Sequence, residues 1–255
     1  MTSETPDPSA ITSILPSDTL PAAILFDMDG TLVDSEPHWM AGEQQLASRY
    51  GAVWTHEDAL ANVGKPMPVF AAAIQARGVP LSVEEIIEWL LAYMVEAVAE
   101  DVIWRPGALE LLTSVREAGI PCAIVTMAYR ELANVVAGAA PVGIFQAVIA
   151  GDEVTNGKPH PEPYLTGAAR LGVDPAACVA IEDTLNGTLS AEAAGVPVIA
   201  VSNVKVVPAS PGRSRVNSLR EIGLAELGAI RAGRVIDTIE DDRWTPDAAH
   251  ATVLV

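Results

Sequence analysis

The stretch that decides the fold is Phe26-Asp27-Met28-Asp29-Gly30-Thr31, which closes the apolar run AAILF at residues 22–26. A short, continuous apolar run predicts a strand covered on both faces. Side chains two apart on a strand share a face, so Asp27 and Asp29 are predicted to project together while Met28 packs inward. Gly30 permits a sharp chain reversal. A simple Asp-Gly turn would explain Asp29 and Gly30, but not an aspartate at the end of a buried strand.

Further apolar runs follow at residues 122–126, 147–150, 178–181 and 196–201. Helical patterns separate them, at residues 106–118, 161–171 and 186–194, and each of these patterns is followed by a glycine. Strands that alternate with helices in this way predict an α/β protein with a doubly wound, Rossmann-like parallel sheet.

The first two strands are separated by about ninety residues, far more than one crossover needs. Helical patterns occupy residues 37–50 and 82–100, and Ser82 with Glu85 forms a capping box at the start of the second. We therefore expect an all-helical cap domain at residues 36–104, inserted into an α/β core at residues 21–35 and 105–240. Residues 1–20 are predicted to be a disordered leader and residues 241–255 a C-terminal tail. Within the core, a short helix is expected near residues 219–227 and a strand at residues 234–239.

Composition excludes several classes of function. The formal charge of -18 argues against nucleic acid as a partner, and no cluster of Lys or Arg indicates a membrane surface. Residues 132–151 are apolar enough to suggest a membrane span, but Pro141 and three glycines interrupt them, which favours a helix followed by a buried strand. Cys122 and Cys178 lie in apolar runs and match no zinc or disulfide pattern, so both are predicted to be buried. The N-terminus has no signal-peptide pattern, and a cytoplasmic monomer is the simplest expectation.

Polar residues follow the other predicted strands at their carboxyl ends. The second run ends at Thr126, the third precedes Asn156-Gly157-Lys158-Pro159, and the fourth is followed by Glu182 and Asp183. In an open α/β sheet the ligand crevice lies outside these strand ends, so these side chains should meet Asp27 and Asp29. Thr126 as a packing residue, Lys158 as a solvated lysine and Glu182-Asp183 as a helix cap are the alternatives, but the shared edge favours one site. Clustered carboxylates call for a hard cation such as Mg²⁺.

The motifs together resemble a known family. DMDGT, a strand-end Thr, GKP and IEDTLNG, in this order over residues 22–203, resemble the haloacid dehalogenase-like (HAD) hydrolase superfamily. The similarity is greatest to its helical-cap branch of sugar- and polyol-phosphate phosphatases, phosphoglycolate phosphatases and β-phosphoglucomutases. The resemblance implies a Mg²⁺-dependent phosphatase that hydrolyses a small phosphate monoester through an aspartyl-phosphate intermediate.

The resemblance also assigns roles residue by residue. It implies that Asp27 is the nucleophile, that Asp29 is the general acid and base, and that Thr126 and Lys158 hold the phosphoryl group. The Mg²⁺ ligands that it implies are the Asp27 carboxylate, the Asp29 main-chain carbonyl, Asp183 and, through water, Glu182. One position departs from the pattern, since Ala128 stands where relatives often carry a Ser.

Of four substrate-binding candidates, two lie in the helical insert and two in the core. His38 and Lys65 could contact the alcohol part of the ester, with a polar helix face and a solvated loop lysine as the respective alternatives. Tyr129 and Arg130 could compensate for Ala128, although Arg130 also fits a surface residue of the following helix.

Two other functions remain open from the sequence. An intramolecular phosphomutase would use the same Asp27 chemistry and return the phosphate to the sugar, although residues 31–37 (TLVDSEP) resemble the phosphatases more. A receiver-type signalling module also combines an acidic pocket, Thr and Lys-Pro. Receivers accept phosphate on a later strand and have no large insert, which disfavours them here.

Overall fold

The computed structural model describes residues 20–62 and 65–240, which contain a six-stranded sheet. The strands are β1 (Ala23–Phe26), β2 (Cys122–Val125), β3 (Phe145–Ile149), β4 (Cys178–Glu182), β5 (Val198–Val201) and β6 (Ser214–Val216). Their order in the sheet is β3-β2-β1-β4-β5-β6, so β2 and β3 lie on one side of β1 and β4 to β6 on the other, and every neighbouring pair is parallel. The doubly wound parallel sheet expected from the sequence is therefore confirmed.

Helices of the described residues fall into two groups. Five pack on the sheet: α5 (Ala108–Glu117), α6 (Arg130–Ala139), α7 (Glu162–Leu171), α8 (Leu185–Ala193) and α9 (Leu224–Arg231). The other four come between β1 and β2, as the sequence predicts: α1 (Glu36–Arg49), α2 (His56–Asn62), α3 (Met67–Ala76) and α4 (Val83–Glu100).

The sheet is apolar on both faces because both are covered. Ile24 and Phe26 of β1 pack into one buried cluster, whereas Ala23 and Leu25 pack into another. The period-two alternation of a strand thus divides one apolar run between two cores. This double burial explains why the sequence shows continuous rather than alternating hydrophobicity.

Helices α1, α3 and α4 share an apolar cluster of their own, which includes Leu46, Ile74, Ile86 and Leu90. The helix α4 also reaches the sheet side, where Met94 and Val98 join the larger core. The predicted capping box is present: the Ser82 hydroxyl accepts from the Glu85 N–H at 3.1 Å, and the Glu85 carboxylate accepts from the Ser82 N–H at 2.8 Å. We call α1–α4 the helical insert; the domain limits at residues 36 and 104 remain a prediction.

Both cysteines are buried, as the sequence predicts. Strand β1 lies between β2 and β4, and Cys122 and Cys178, on those two flanking strands, are free and buried. The apolar stretch 132–151 forms most of α6 and then β3. Across the part of the chain that the structure describes, no helix is both long and apolar enough to cross a membrane.

The C-terminal part of the sheet differs from the sequence prediction. The strand expected at residues 234–239 is wrong: only an isolated bridge joins Asp237 to Arg215 of β6. The helix expected near residues 219–227 is a 3₁₀ turn, Leu219–Glu221, followed by α9. Strand β6 itself was not predicted. The expected tail at residues 241–255, and the expected leader except for residue 20, lie outside the described residues.

Candidate active site

A cavity of about 380 Å³ lies between the carboxyl ends of the strands and the helical insert. The sheet side contributes the residues that the sequence placed at the strand ends, except Glu182, together with Gly157, Met127 and Ala128. The insert contributes polar and aromatic side chains from α1 and from the α2–α3 region. The cavity is lined chiefly by Asp27, Asp29, Thr126, Lys158 and Asp183 on the sheet side, and by Glu36, Trp39, Glu43, Asn62, Lys65 and Phe70 on the insert side.

The first motif places two aspartates at this edge. Asp27 follows β1 directly, and its N–H donates to the Ile181 carbonyl at 2.9 Å. Met28 is fully buried, as the strand alternation predicts. Gly30 then adopts φ +81°, and a Cβ there would overlap the Asp183 carboxylate, so a side chain is excluded by both conformation and space. The chain reversal brings the Ser35 hydroxyl to Asp29, to which it donates at 2.5 Å.

Lys158 is held at the centre of the cavity floor by three acceptors. Its Nζ donates to Asp27 at 2.7 Å, to Glu182 at 2.5 Å and to the Val125 carbonyl at 2.8 Å. Only 4% of the Lys158 side chain is exposed. Burial alone lowers the pKa of Lys158, but the charges of Asp27 and Glu182 raise it by a larger amount. The net shift of the pKa is therefore upward, and the ammonium stays charged.

Glu182 is fully buried, and protein donors satisfy both of its oxygens. Oε1 accepts from Lys158 and from the Tyr164 hydroxyl, the latter at 2.7 Å. Oε2 accepts from the main-chain N–H groups of Asp183 and Thr184 and from the Thr184 hydroxyl. Because Glu182 is tied to the start of α8 in this way, it fixes the position of Lys158.

Several buried carboxylates lie close together on the sheet side of the cavity, which we call the cavity floor. Burial, followed by the charge of Glu182, raises the pKa of Asp27 to about 7, although Lys158 opposes the shift. Burial raises the pKa of Asp29 above its usual range, against hydrogen bonds from Ser35 and Trp39. Burial and the charges of Asp27 and Glu182 raise the pKa of Asp183 well above its usual range. One lysine therefore does not offset the carboxylates around it.

The donor set fits a divalent cation. Carboxylate oxygens of Asp27, Glu182 and Asp183 lie within 4.8 Å of one another. Asn203 donates to Asp183 at 2.8 Å, while its own Oδ1 is buried and receives no hydrogen bond in the described part of the chain. Oxygen ligands in an acidic cluster, beside an unpaired amide oxygen, suit a hard cation and its bound water.

The structure brings six of the predicted residues together: Asp27, Asp29, Thr126, Lys158, Glu182 and Asp183. Of the four substrate-binding candidates, Lys65 lines the cavity and the other three do not. The His38 ring nitrogen Nε2 lies 3.0 Å from the Asp101 carbonyl oxygen, and Tyr129 packs against the apolar cluster of the insert. Arg130 forms an ion pair with Glu153 and donates to the Val148 carbonyl, which is the surface arrangement considered as its alternative.

Several residues of the site were not found from the sequence. Asn203 follows β5 within two residues, so the strand-end argument could have identified it, whereas Tyr164 lies on the buried face of α7 and gave no signal. Glu36 and Glu43 line the cavity from α1. On a helix, a glutamate that faces a cavity has the same sequence pattern as one that faces solvent.

Known proteins resemble this chain over most of its length. A family model described as a haloacid dehalogenase-like hydrolase matches residues 21–195. Hexitol phosphatase A of Escherichia coli (strain K12) is 35% identical over 179 residues, which cover 70% of this chain and 82% of that protein. Hexitol phosphatase B of the same strain is 31% identical over 184 residues, with the same shares covered. The crystal structure of CbbY from Rhodobacter sphaeroides in complex with phosphate has a TM-score of 0.71 and 28% identity, over 82% of this chain and 99% of that one.

The contacts of Glu182 predict a large effect on stability. Replacing Glu182 by Ala leaves Lys158 with one anionic partner and deprives the Tyr164 hydroxyl of its acceptor. We expect the free energy of unfolding, measured by urea denaturation, to fall by about 3–5 kcal/mol, as when one member of a buried ion pair is removed. The matched control is Glu153→Ala, which breaks the more exposed pair with Arg130 and should cost about 1 kcal/mol or less. Equal losses in the two variants would contradict this account of Glu182.

Proposed function

We propose that this chain, which belongs to the haloacid dehalogenase-like hydrolase family and is a phosphatase, hydrolyses a small sugar- or polyol-phosphate monoester. The reaction would proceed through phosphorylation of Asp27, with Mg²⁺ as cofactor. The observation that carries the proposal is the contact of Lys158 with Asp27 on the floor of a cavity that also contains Asp29 and Asp183. The relatives named as hexitol phosphatases support the substrate class. Membership of a hydrolase family removes the receiver-type signalling module from consideration.

The first step would be attack by the Asp27 carboxylate on phosphorus. Lys158 donates to one carboxylate oxygen of Asp27, and no residue of the described chain donates to the other, which would form the new bond. The bond from phosphorus to the ester oxygen breaks, and Asp29 gives its proton to the departing alcohol. Burial supports this role because it raises the pKa of Asp29 and so favours the protonated acid.

The second step would hydrolyse the acyl phosphate on Asp27. Asp29, now ionised, accepts a proton from water as the water oxygen attacks phosphorus, and the Asp27 carboxylate leaves. The products are inorganic phosphate and the original enzyme, so atoms and charges balance over the two steps. The Ser35 hydroxyl keeps Asp29 in place for both transfers.

The transferring group would rest on Lys158 and Thr126. Lys158 lies between the nucleophile and Glu182, where its charge can offset charge on the phosphoryl oxygens. Thr126 is buried after β2, and its hydroxyl accepts from the Ala128 N–H at 3.0 Å. The same hydroxyl is hydrogen-bonded to Asp29, whose pKa it lowers, and it would donate to a substrate oxygen instead when the ester binds. The Ala128 side chain offers no hydroxyl here, so Thr126 is the hydroxyl donor contributed by this motif.

Mg²⁺ would be held by the carboxylates of Asp27 and Asp183 and, as the family resemblance implies, by the main-chain carbonyl of Asp29. Such an ion supplies charge neutralisation at the phosphoryl oxygens. The two oxygens of Glu182 are already bonded to protein donors, which supports a positioning role for Glu182 next to the ion. Asn203 would orient Asp183 through their hydrogen bond.

Substitution of the proposed nucleophile gives a direct kinetic test. Asp27→Asn keeps the shape of the side chain but removes the charged attacking oxygen, so kcat for release of inorganic phosphate should fall by at least about 10⁴-fold. Asp101→Asn, which changes an exposed aspartate outside the cavity, should keep wild-type activity. Circular dichroism would show that both variants are folded. Substantial phosphate release by folded Asp27→Asn would rule out Asp27 as the nucleophile. The same assay on the wild-type protein tests the alternative function, because a phosphomutase would isomerise sugar phosphates instead of releasing phosphate.

Metal removal tests the cofactor. Protein treated with excess chelator should lose phosphatase activity, and added Mg²⁺ should restore it, because the clustered carboxylates otherwise repel an anionic ester. Mg²⁺ should also raise the Tm of the wild-type protein, since a ligand that binds only the folded state stabilises it. Asp183→Asn should show a much smaller Tm shift. Full turnover in excess chelator is the result that would refute the metal assignment.

A further inference from the structure

The insert side of the cavity differs chemically from the floor. Two carboxylates, Glu36 and Glu43, project from α1, and a single lysine, Lys65, precedes α3. Trp39 and Phe70 supply apolar surface between them. The steps proposed above use none of these five residues, yet all of them face the space that the alcohol part of a bound ester must occupy.

We propose that Glu36 and Glu43 bind the hydroxyl groups of the leaving alcohol and select an uncharged polyhydroxy alcohol over one that carries a second anionic group. This inference rests on the proposed phosphatase function and adds the chemical class of the leaving group to it. The two glutamates are specificity-determining residues and take no part in the bond-breaking steps.

The first observation that points to a ligand is the environment of the Glu43 carboxylate. Only 4% of the residue is exposed, and it lies on the buried side of α1 near Leu46 and Ala47. Its Oε2 accepts from the Trp54 ring N–H at 2.6 Å, whereas Oε1 receives no hydrogen bond from any described residue. Glu43 lines the cavity, so this oxygen is available to accept from a hydroxyl group of a bound ligand.

The second observation is the environment of the Glu36 carboxylate. It is the first residue of α1, it is half-buried, and no described residue donates a hydrogen bond to its carboxylate. Burial, followed by the charge of Glu43, raises the pKa of Glu36 to about 7. The two glutamates lie on the same helix and line the same cavity. Vicinal hydroxyls of a sugar or polyol can each donate to a carboxylate and accept from a protonated one, so they match this pair in both states.

The charge of this wall argues against an anionic leaving group. Lys65 is the only cation among the cavity-lining residues of the insert that the structure describes, and its Nζ already donates to Asn62 Oδ1 at 3.1 Å. A second phosphate or a carboxylate would therefore meet two glutamates and one ammonium, so the ionised wall opposes it by one net negative charge. Like charges in a partly dry cavity repel much more strongly than in water.

A matched pair of esters tests the inference in the full-length protein with Mg²⁺. Sorbitol 6-phosphate and 6-phosphogluconate share a carbon chain and differ at C1, which is a hydroxymethyl group in one and a carboxylate in the other. We expect kcat/KM of the wild-type protein to favour sorbitol 6-phosphate by at least roughly tenfold, from like-charge repulsion at the far end of the ester.

The variants Glu36→Gln and Glu43→Gln remove one charge each and keep the shape of the side chain. Each should reduce the sorbitol-to-gluconate preference at least roughly fivefold, partly by a higher kcat/KM for 6-phosphogluconate. The amide oxygen introduced by Glu43→Gln can still accept from Trp54, and Glu36→Gln touches no internal hydrogen bond, so at least one variant should fold normally. Glu57→Gln, which changes an exposed glutamate of α2 outside the cavity lining, is the control and should leave the preference unchanged.

The outcomes separate this inference from the function on which it rests. Hydrolysis of 6-phosphogluconate as fast as sorbitol 6-phosphate, or an unchanged preference in both glutamine variants, would overturn the specificity role while leaving the phosphatase intact. Failure to hydrolyse any ester, including the generic substrate p-nitrophenyl phosphate, would overturn the proposed function, and the inference with it.

Discussion

The arrangement of the site depends on one interaction, the Lys158 ammonium held between the carboxylates of Asp27 and Glu182. Burying an ammonium is costly unless it is paired and hydrogen-bonded, and three acceptors within 2.8 Å meet that requirement. Glu182 can supply one of them because Tyr164, Thr184 and the start of α8 fix its carboxylate. The parallel sheet brings these groups together, since β1, β2 and β4 are neighbours whose carboxyl ends meet at one edge.

The sequence was most informative where one physical rule determined the structure. Continuous apolar runs predicted β1, β2, β4 and β5 because helices cover both faces of the sheet. The same rule fails at β6, Ser214–Val216, in which a buried Arg215 is paired with Asp237. Residues 234–239 have the apolar and β-branched character of a strand, but one bridge is all that they add to the sheet edge. Local pattern cannot show that this short strand is stabilised by Asp237, which lies 22 positions after Arg215.

The residues of the candidate site also fall into a group that the sequence could predict and a group that it could not. The residues at strand ends could be predicted, because topology alone brings carboxyl ends to one edge and the motifs resemble those of a family. The site residues on helices could not be predicted from the sequence. Glu43 faces the cavity and Arg130 faces Glu153, yet each is a charged residue on an amphipathic helix, and only the tertiary packing of α1 and α6 distinguishes them. The insert therefore holds most of what the sequence could not reveal, including the residues to which we assign the choice of leaving group.

The central claim is that phosphate passes through Asp27, and trapping the intermediate tests it most directly. Wild-type protein would be mixed with Mg²⁺ and a hydrolysable phosphate ester, quenched in acid within the first turnovers, digested and sequenced by mass spectrometry. The account predicts phosphate on the peptide that contains residues 26–31, located on Asp27, and its loss on mild alkaline treatment, as an acyl phosphate requires. Phosphate on a Ser, Thr or His, or rapid turnover with no phosphorylated peptide at any quench time, would contradict it.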